Sequence, residues 1–388
     1  MVKGLVEYQP LVMLPGPTNV PNRVLRAMLK PVIGHRGPEF RELHERIVEN
    51  ARYAFQTEGD VFVLTCSGTG GVACALENIL RPGDKAVVTS FGVFGERMAE
   101  TARRRGAEVL EVKAEWGKVP DLRQVEEALR GRDVRAFCVV YNETSTGATV
   151  RELAKMCELA KDHGALVIVD AVSILGGDVL PVDKWGIDIC ITGSQKCLAC
   201  PPGLALVSVG EEAWKAIEEN PNRPFYFDLV RAREFWTKRH ETPFTPAVPL
   251  FYALDEALIM LREEGLEARI ERHARCARAF YSALEALGLR AFPDPACRSN
   301  TVIAIEVPEG LDPHALRARM REEHGVLIAG GMGKMRDKLL RIGCMGVVSA
   351  REVIRTVVAL GNSLNELGHE ADVGEALRAV RRTLGKPG

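Results

Sequence analysis

Apolar residues fall into short continuous runs, and the stretches between them carry apolar residues at three- and four-residue spacing. Runs at 61–66, 85–90, 107–112, 134–141, 165–171, 187–192 and 204–209 are dominated by Val, Ile, Leu and Ala, which predicts strands buried on both faces. Helical spacing occupies 41–56, 70–80, 94–105, 122–129 and 150–163. Strand and helix signals in alternation predict a mostly parallel seven-stranded sheet with helices on both faces, an α/β domain. From about residue 249 the rhythm changes. A long helical stretch at 250–288 breaks near Gly265, then a strand (301–307), a helix (314–324), short strands (326–329 and 339–342) and a helix (350–367) follow, which is an α+β pattern. The expected division is an N-terminal arm at 1–20, a large domain at 21–255 and a smaller C-terminal domain at 256–388. Residues 10–22 are rich in Pro and turn formers, so the arm is expected to be irregular and to pack on the small domain; 378–388 are basic and are expected to fray.

Composition narrows the possibilities without selecting one. The chain has 388 residues, 46% hydrophobic and 27% charged, enough for one large core and a second, smaller one. A formal net charge of -1 gives no basis for nucleic acid or an anionic membrane as partner. No apolar run approaches the roughly 20 residues that span a bilayer, and residues 1–7 lack the apolar core of a leader peptide. Among the ten cysteines, Cys74, Cys138, Cys157 and Cys190 sit in apolar patterns. Cys197 and Cys200 form a C-x-x-C, which suits a redox pair or half a zinc site. No second C-x-x-C or H-x-x-x-H accompanies it, and two prolines follow at once. Structural cysteines, no metal and a reducing, cytoplasmic compartment are therefore expected.

The candidate chemistry lies where the strand runs end. In an open parallel sheet, ligands bind outside the carboxyl ends of the strands. One run ends at Asp170, and another leads through Gly193-Ser194-Gln195 to Lys196. A lysine there is also an ordinary loop residue, and an aspartate an ordinary helix cap. As a pair they offer an amine that can form an imine and an acid that can meet a pyridinium nitrogen, which is what pyridoxal phosphate requires. Cys66-Ser67-Gly68-Thr69-Gly70-Gly71 follows the first strand and opens a helix, a cradle for phosphate or only a tight turn. No Gly-Lys-Ser/Thr closes it and it is not G-x-G-x-x-G, so a nucleotide site is the poorer fit. Phe94, in Phe91-Gly92-Val93-Phe94-Gly95, could stack on a planar ring or fill the core. Tyr141-Asn142-Glu143-Thr144-Ser145-Thr146-Gly147 puts hydroxyls and an amide at another strand end, as cofactor contacts or as caps.

Ser67-Gly68-Thr69, Asn142 to Gly147, Asp170-Ala171-Val172-Ser173, Gly193 to Lys196, Pro201-Pro202-Gly203 and Leu340-Arg341-Ile342-Gly343 occur in that order. Together they resemble the class V aminotransferases, most nearly the alanine–glyoxylate and serine–pyruvate (serine–glyoxylate) branch, over about residues 10–367. The resemblance implies the fold type I architecture of pyridoxal-phosphate-dependent transferases and a homodimer with its active site at the subunit interface. It also implies roles: Lys196 as the imine-forming amine, Asp170 at the ring nitrogen, Phe94 stacked on the ring where the family often has tryptophan, and Thr144 near the phenolic oxygen. Ser67, Gly68, Thr69 and Gln195 would hold the phosphate, joined by Thr245 reaching across the dimer. Where the family often adds a tyrosine three residues before that hydroxyl, this chain has Thr242. Arg341 would clamp the substrate carboxylate, since a planar guanidinium makes two parallel bonds to it. Gly16, Pro17 and Gly34 to Arg36 would close the pocket.

The activity so implied is ping-pong transfer of an amino group from serine or alanine to glyoxylate or pyruvate, with Lys196 as the base at Cα. Aminoethylphosphonate, phosphoserine and ureidoglycine transaminases share these motifs. The absence of an added basic cluster near the arm favours small neutral amino acids. A cysteine desulfurase would need a cysteine shortly before the carboxylate-binding arginine, and 330–336 has none. A non-catalytic scaffold or regulatory subunit would have no reason to keep Lys196, Asp170 and Arg341 together.

Overall fold

The computed structural model describes residues 10–385. The expectations for residues 1–7 and for the last three residues of the chain lie outside that range. Seven strands form the central sheet: β1 (Asp60–Leu64), β2 (Lys85–Ser90), β3 (Glu108–Lys113), β4 (Val134–Val140), β5 (Leu166–Asp170), β6 (Ile189–Gly193) and β7 (Ala205–Val209), in the order β1-β7-β6-β5-β4-β2-β3. Neighbours pair in parallel except at β7, which runs against both β6 and β1. The α/β class and the seven-stranded, mostly parallel sheet are as the alternation predicts.

Alternation within the strands explains why they read as continuous apolar runs. Val61, Val63, Phe137, Val139, Val167 and Val169 enter one core. Phe62, Ala136, Cys138, Val140, Ile168 and Ile191 enter another on the opposite face. Two helices that follow strand ends matter for the site: α1 (Gly68–Ile79) after β1 and α2 (Val93–Arg104) after β2. The long helical stretch divides at Gly265 into α3 (Val248–Glu264) and α4 (Leu266–Ala286). α3 packs in the large core, while α4 from Cys276 onward packs in a third one.

That third core holds a three-stranded sheet, Val302–Glu306, Leu339–Gly343 and Ala329–Gly330 in that spatial order. The arm joins it: Leu11–Val12 pairs in parallel with Val326–Leu327, and Leu11 and Met13 are buried there. The expected fraying of 378–388 is corrected as far as the described residues reach. Val373–Leu384 is a helix whose Ala376, Ala379 and Val380 are buried, and Arg275 Nη2 donates to Leu384 O at 2.5 Å. The arginines face outward, and the small apolar stripe at helical spacing docks the segment. No helix among the described residues is long and apolar enough to cross a membrane.

Candidate active site

The carboxyl ends of the six strands that run in parallel bring their loops to one edge of the sheet. β6 ends at Gly193, and Ser194 then closes a tight turn: Leu204 N donates to Ser194 Oγ at 3.3 Å, and that hydroxyl donates to Pro201 O at 2.6 Å. The next side chains, Gln195 and Lys196, both line a cavity of about 200 Å3. Lys196 is buried, 8% exposed, and its Nζ donates to Pro15 O of the arm. Gly16 follows at φ +93°, and a Cβ there would lie 2.7 Å from Lys196 Nζ. The arm is fastened behind it, with Thr18 N donating to Gln195 O at 3.2 Å and Thr18 Oγ1 to Lys196 O at 3.3 Å. From the far side, Arg269 Nη2 donates to Cys197 O at 2.7 Å. Burial holds the Lys196 amine down at about 8; the Arg341 charge adds to this, and Cys197 and Asp170 oppose it.

Asp170, the last residue of β5, lines the same cavity. Its carboxylate accepts from Val172 N at 2.9 Å. Burial pushes Asp170 up to about 6; that hydrogen bond and the Lys196 and Arg97 charges pull it back, and Glu143 adds to the rise. Ser67, Gly68 and Thr69 line the cavity where α1 begins, with Ser67 as the N-cap residue. Glycine at 68 lets the helix start press on the loop after β5: a Cβ there would be 2.8 Å from Val172 Cγ2. Gln195 Oε1 is buried and accepts no hydrogen bond from the described residues.

Phe94 and Thr144 complete the expected lining, and Arg97 joins them. The Arg97 guanidinium lies 4.8 Å from the Phe94 ring centre, and its Nη1 donates to Thr69 Oγ1 at 3.2 Å. Arg341, 7% exposed, is not among the residues that line the cavity and meets it only through Thr144. Its Nε donates to Gly330 O at 2.8 Å and its Nη1 to Thr144 O at 2.9 Å, the carbonyl of a lining residue. Burial holds the Arg341 guanidinium down at about 10, opposed by the Glu143 charge.

Sequence reasoning missed four residues around this cavity. Arg97 was legible as the side chain three residues beyond Phe94, one helical turn away. Asn142 and Ser173 lay inside quoted motifs without a role. Asn142 Nδ2 donates to Ser173 Oγ at 2.7 Å and to Thr301 Oγ1 at 3.2 Å, tying β4 and β5 loops to the smaller sheet. The fourth, Glu143, is fully buried, and its burial gives no local signal.

Thr245 is exposed and lies away from the cavity, on a segment whose Thr242 Oγ1 donates to Phe244 O at 2.8 Å. Gly34 to Arg36 do not line the cavity either. Arg36 instead pins that segment, donating to Glu241 at 2.9 Å, Thr242 O at 2.6 Å and Pro243 O at 3.0 Å. Cys197 and Cys200 are buried free thiols, and burial pushes both up, Cys197 to about 12.

The family model Aminotransferase class-V matches residues 13–366. The serine–glyoxylate aminotransferase of Methylorubrum extorquens is 35% identical over 96% of this chain and 95% of its own. The soluble hydrogenase 42 kDa subunit of Anabaena cylindrica is 38% identical over 93% of this chain and 94% of its own. The crystal structure of ureidoglycine–glyoxylate aminotransferase from Bacillus subtilis superposes with a TM-score of 0.94 at 32% identity, covering 98% of this chain and 99% of that one. The chain belongs to the class V aminotransferases, enzymes that act on amino and oxo acids, and that membership implies pyridoxal phosphate as its cofactor.

Proposed function

We propose that this aminotransferase moves the amino group of a small amino acid, serine or alanine, to glyoxylate or pyruvate, with the cofactor held in the cavity at Lys196. The observation that carries the reading is the amine itself: buried, held at about 8, and sharing one cavity with the Asp170 carboxylate. The lining fits the cofactor. Ser67, Thr69 and the start of α1 offer donors to a phosphate, Gln195 brings a side-chain NH2 to the same lining, and Phe94 offers a ring face.

When bound, pyridoxal phosphate supplies an aldehyde for an amine and a ring that draws electron density from Cα. Asp170 is the carboxylate for the ring nitrogen, and Thr144 the hydroxyl for the phenolic oxygen. Ser67, Gly68, Thr69 and Gln195 hold the phosphate. Arg341 takes the substrate carboxylate; its hydrogen bonds to two carbonyls fix the guanidinium without neutralising it. Lys196 Nζ takes the proton from Cα, a task suited to an amine whose basicity burial has lowered. Gly16 and the arm hold that amine against the cavity and keep water from it.

A homodimer completes the site in this reading, with Thr245 directed to the phosphate in the other subunit. Exposure of Thr245, and of Phe225 (71%), whose ring lies 5.6 Å from that of Phe244, supports a covered face there. Ten free cysteines, nine of them buried, support a reducing cytoplasmic setting. The desulfurase alternative finds no support, because Cys344 is fully buried and no cysteine lines the cavity.

Initial rates of the purified protein across a panel of donors and acceptors test the proposal. Serine or alanine with glyoxylate or pyruvate should give parallel double-reciprocal lines; intersecting lines, or no turnover with any of these pairs, would refute it. The name of the hydrogenase-subunit relative favours a second reading, a subunit that keeps the fold without the chemistry. Spectra decide this: an absorbance band that shifts when serine or alanine is added excludes a silent subunit.

A further inference from the structure

We propose that Glu143 is a positioning residue: its buried carboxylate fastens the first turn of α2, which carries Phe94, to the loop whose Thr144 carbonyl holds Arg341, so that both sides of the pocket keep one register. The inference rests on the reading of Phe94 and Arg341 given above.

Three backbone N–H groups and one hydroxyl converge on this carboxylate. Phe94 N and Gly95 N each donate to Oε2 at 3.0 Å, while Ser145 N at 3.1 Å and Ser145 Oγ at 2.6 Å donate to Oε1. All three amides are donors only and the carboxylate oxygens meet each of them; burial pushes the Glu143 carboxyl up, and the bonds from Ser145, Gly95 and Phe94 pull it back. The negative charge also faces the positive end of the α2 dipole. Ser145 Oγ accepts in turn from Val93 N at 3.0 Å, which closes a ring of bonds across the two segments.

A helix cap alone does not require this geometry. A cap of ordinary kind comes from the residue just before the helix, and here that residue is Gly92. A Cβ at Gly92 would lie 2.3 Å from Glu143 Cγ and 2.5 Å from Ser145 Oγ, so the chain leaves that position bare for a carboxylate 49 residues away in sequence from its Phe94 partner. Glu143 does not reach the cavity, but the residues on either side of its bonds do: Phe94 on one and Thr144 on the other. Thr144 O is one of the two carbonyls that orient Arg341, whose charge interacts with Glu143. Displacing the carboxylate therefore disturbs the stacking wall and the carboxylate clamp together.

The test uses the full-length holoenzyme and the variants Glu143→Gln, Glu143→Asp and Ser145→Ala. Loss of the charge in Glu143→Gln should raise KM for the amino donor about tenfold or more, with a smaller change in kcat, and should speed cofactor loss on dialysis, read by absorbance. Amide exchange at Phe94, Gly95 and Ser145 should quicken in the cofactor-free chain, and Glu143→Asp should recover part of each effect. Ser145→Ala removes one donor and should show the same pattern at reduced size; it decides the matter if Glu143→Gln does not fold. In a cycle with Arg341→Lys, the double variant should lose less than the product of the single losses, because both act through one clamp. Unchanged KM and cofactor retention in Glu143→Gln and Ser145→Ala, or lowered stability alone, would overturn the positioning role while leaving the site reading intact. Should Arg341→Lys and Phe94→Leu each behave as wild type, the site reading fails first and this proposal with it.

Discussion

Gly16→Ala puts one methyl group where the arm meets the proposed catalytic amine. The new Cβ would lie 2.5 Å from Lys196 Cδ, 2.6 Å from Cε and 2.7 Å from Nζ, against about 3.5–4 Å for carbon atoms at rest. Roughly 1 Å must be found. The lysine side chain is flexible, but it can yield only into the cavity it lines. The arm can yield only by straining the bonds from Thr18 to Gln195 and Lys196. An alanine at φ +93° adds about 1–2 kcal/mol of backbone strain, and overpacking adds about 1–3 kcal/mol. Either response moves Nζ or opens its cover, so at least about 2 kcal/mol, a factor of about 30, should appear in kcat/KM. Steady-state kinetics at saturating cofactor, with a thermal melt and an absorbance spectrum on the same sample, make the measurement. The melt should fall by only a few degrees, since the arm remains anchored through Leu11–Val12. A variant that binds cofactor, turns over and melts like wild type would show that the arm does not press on the amine.

Lys196, held at about 8 against an ordinary 10.5, presents about 300-fold more neutral amine at pH 7. Cofactor uptake by the stripped protein should therefore accelerate with pH and level off above about 8, and a rate still climbing at pH 10 would contradict the burial argument. The same depressed value carries a stability sign. This amine's contribution is fully present above 10.5 and is lost as pH falls through about 8, so stripped protein should gain stability as pH rises from about 8 to 10.5, measured by urea midpoints. Arg341→Lys keeps the charge and loses the fork; KM for the donor should rise about 10–100-fold with kcat less affected, and an unchanged KM would remove Arg341 from the substrate carboxylate. Val380→Asp places a carboxylate at a fully buried position and should cost about 3 kcal/mol or more by urea unfolding, whereas a frayed terminus would leave the midpoint unmoved.

How far the sequence carried depended on whether a feature is decided locally. The seven strands were legible because each is covered on both faces, and such strands leave contiguous apolar runs. Lys196 and Asp170 were legible because a parallel sheet gathers its ligand groups at strand ends, and both follow such runs within a few residues. The helices Glu211–Glu218 and Leu229–Arg239 and the docking of Val373–Leu384 were not read; in the last, arginines at 378, 381 and 382 mask a stripe as slight as two alanines and a valine. Glu143 shows the harder limit. Asn142 and Glu143 are extended backbone, where successive side chains point to opposite sides. Alternation therefore says that Asn142 and Glu143 face opposite ways, but not which of them meets the cavity. That choice belongs to Gly92 and α2, which arrive from far away in sequence and leave a space shaped for a carboxylate. A motif thus names the residue types that a site requires, and the packing of distant segments decides which of two neighbours touches the ligand and which one holds the pocket together.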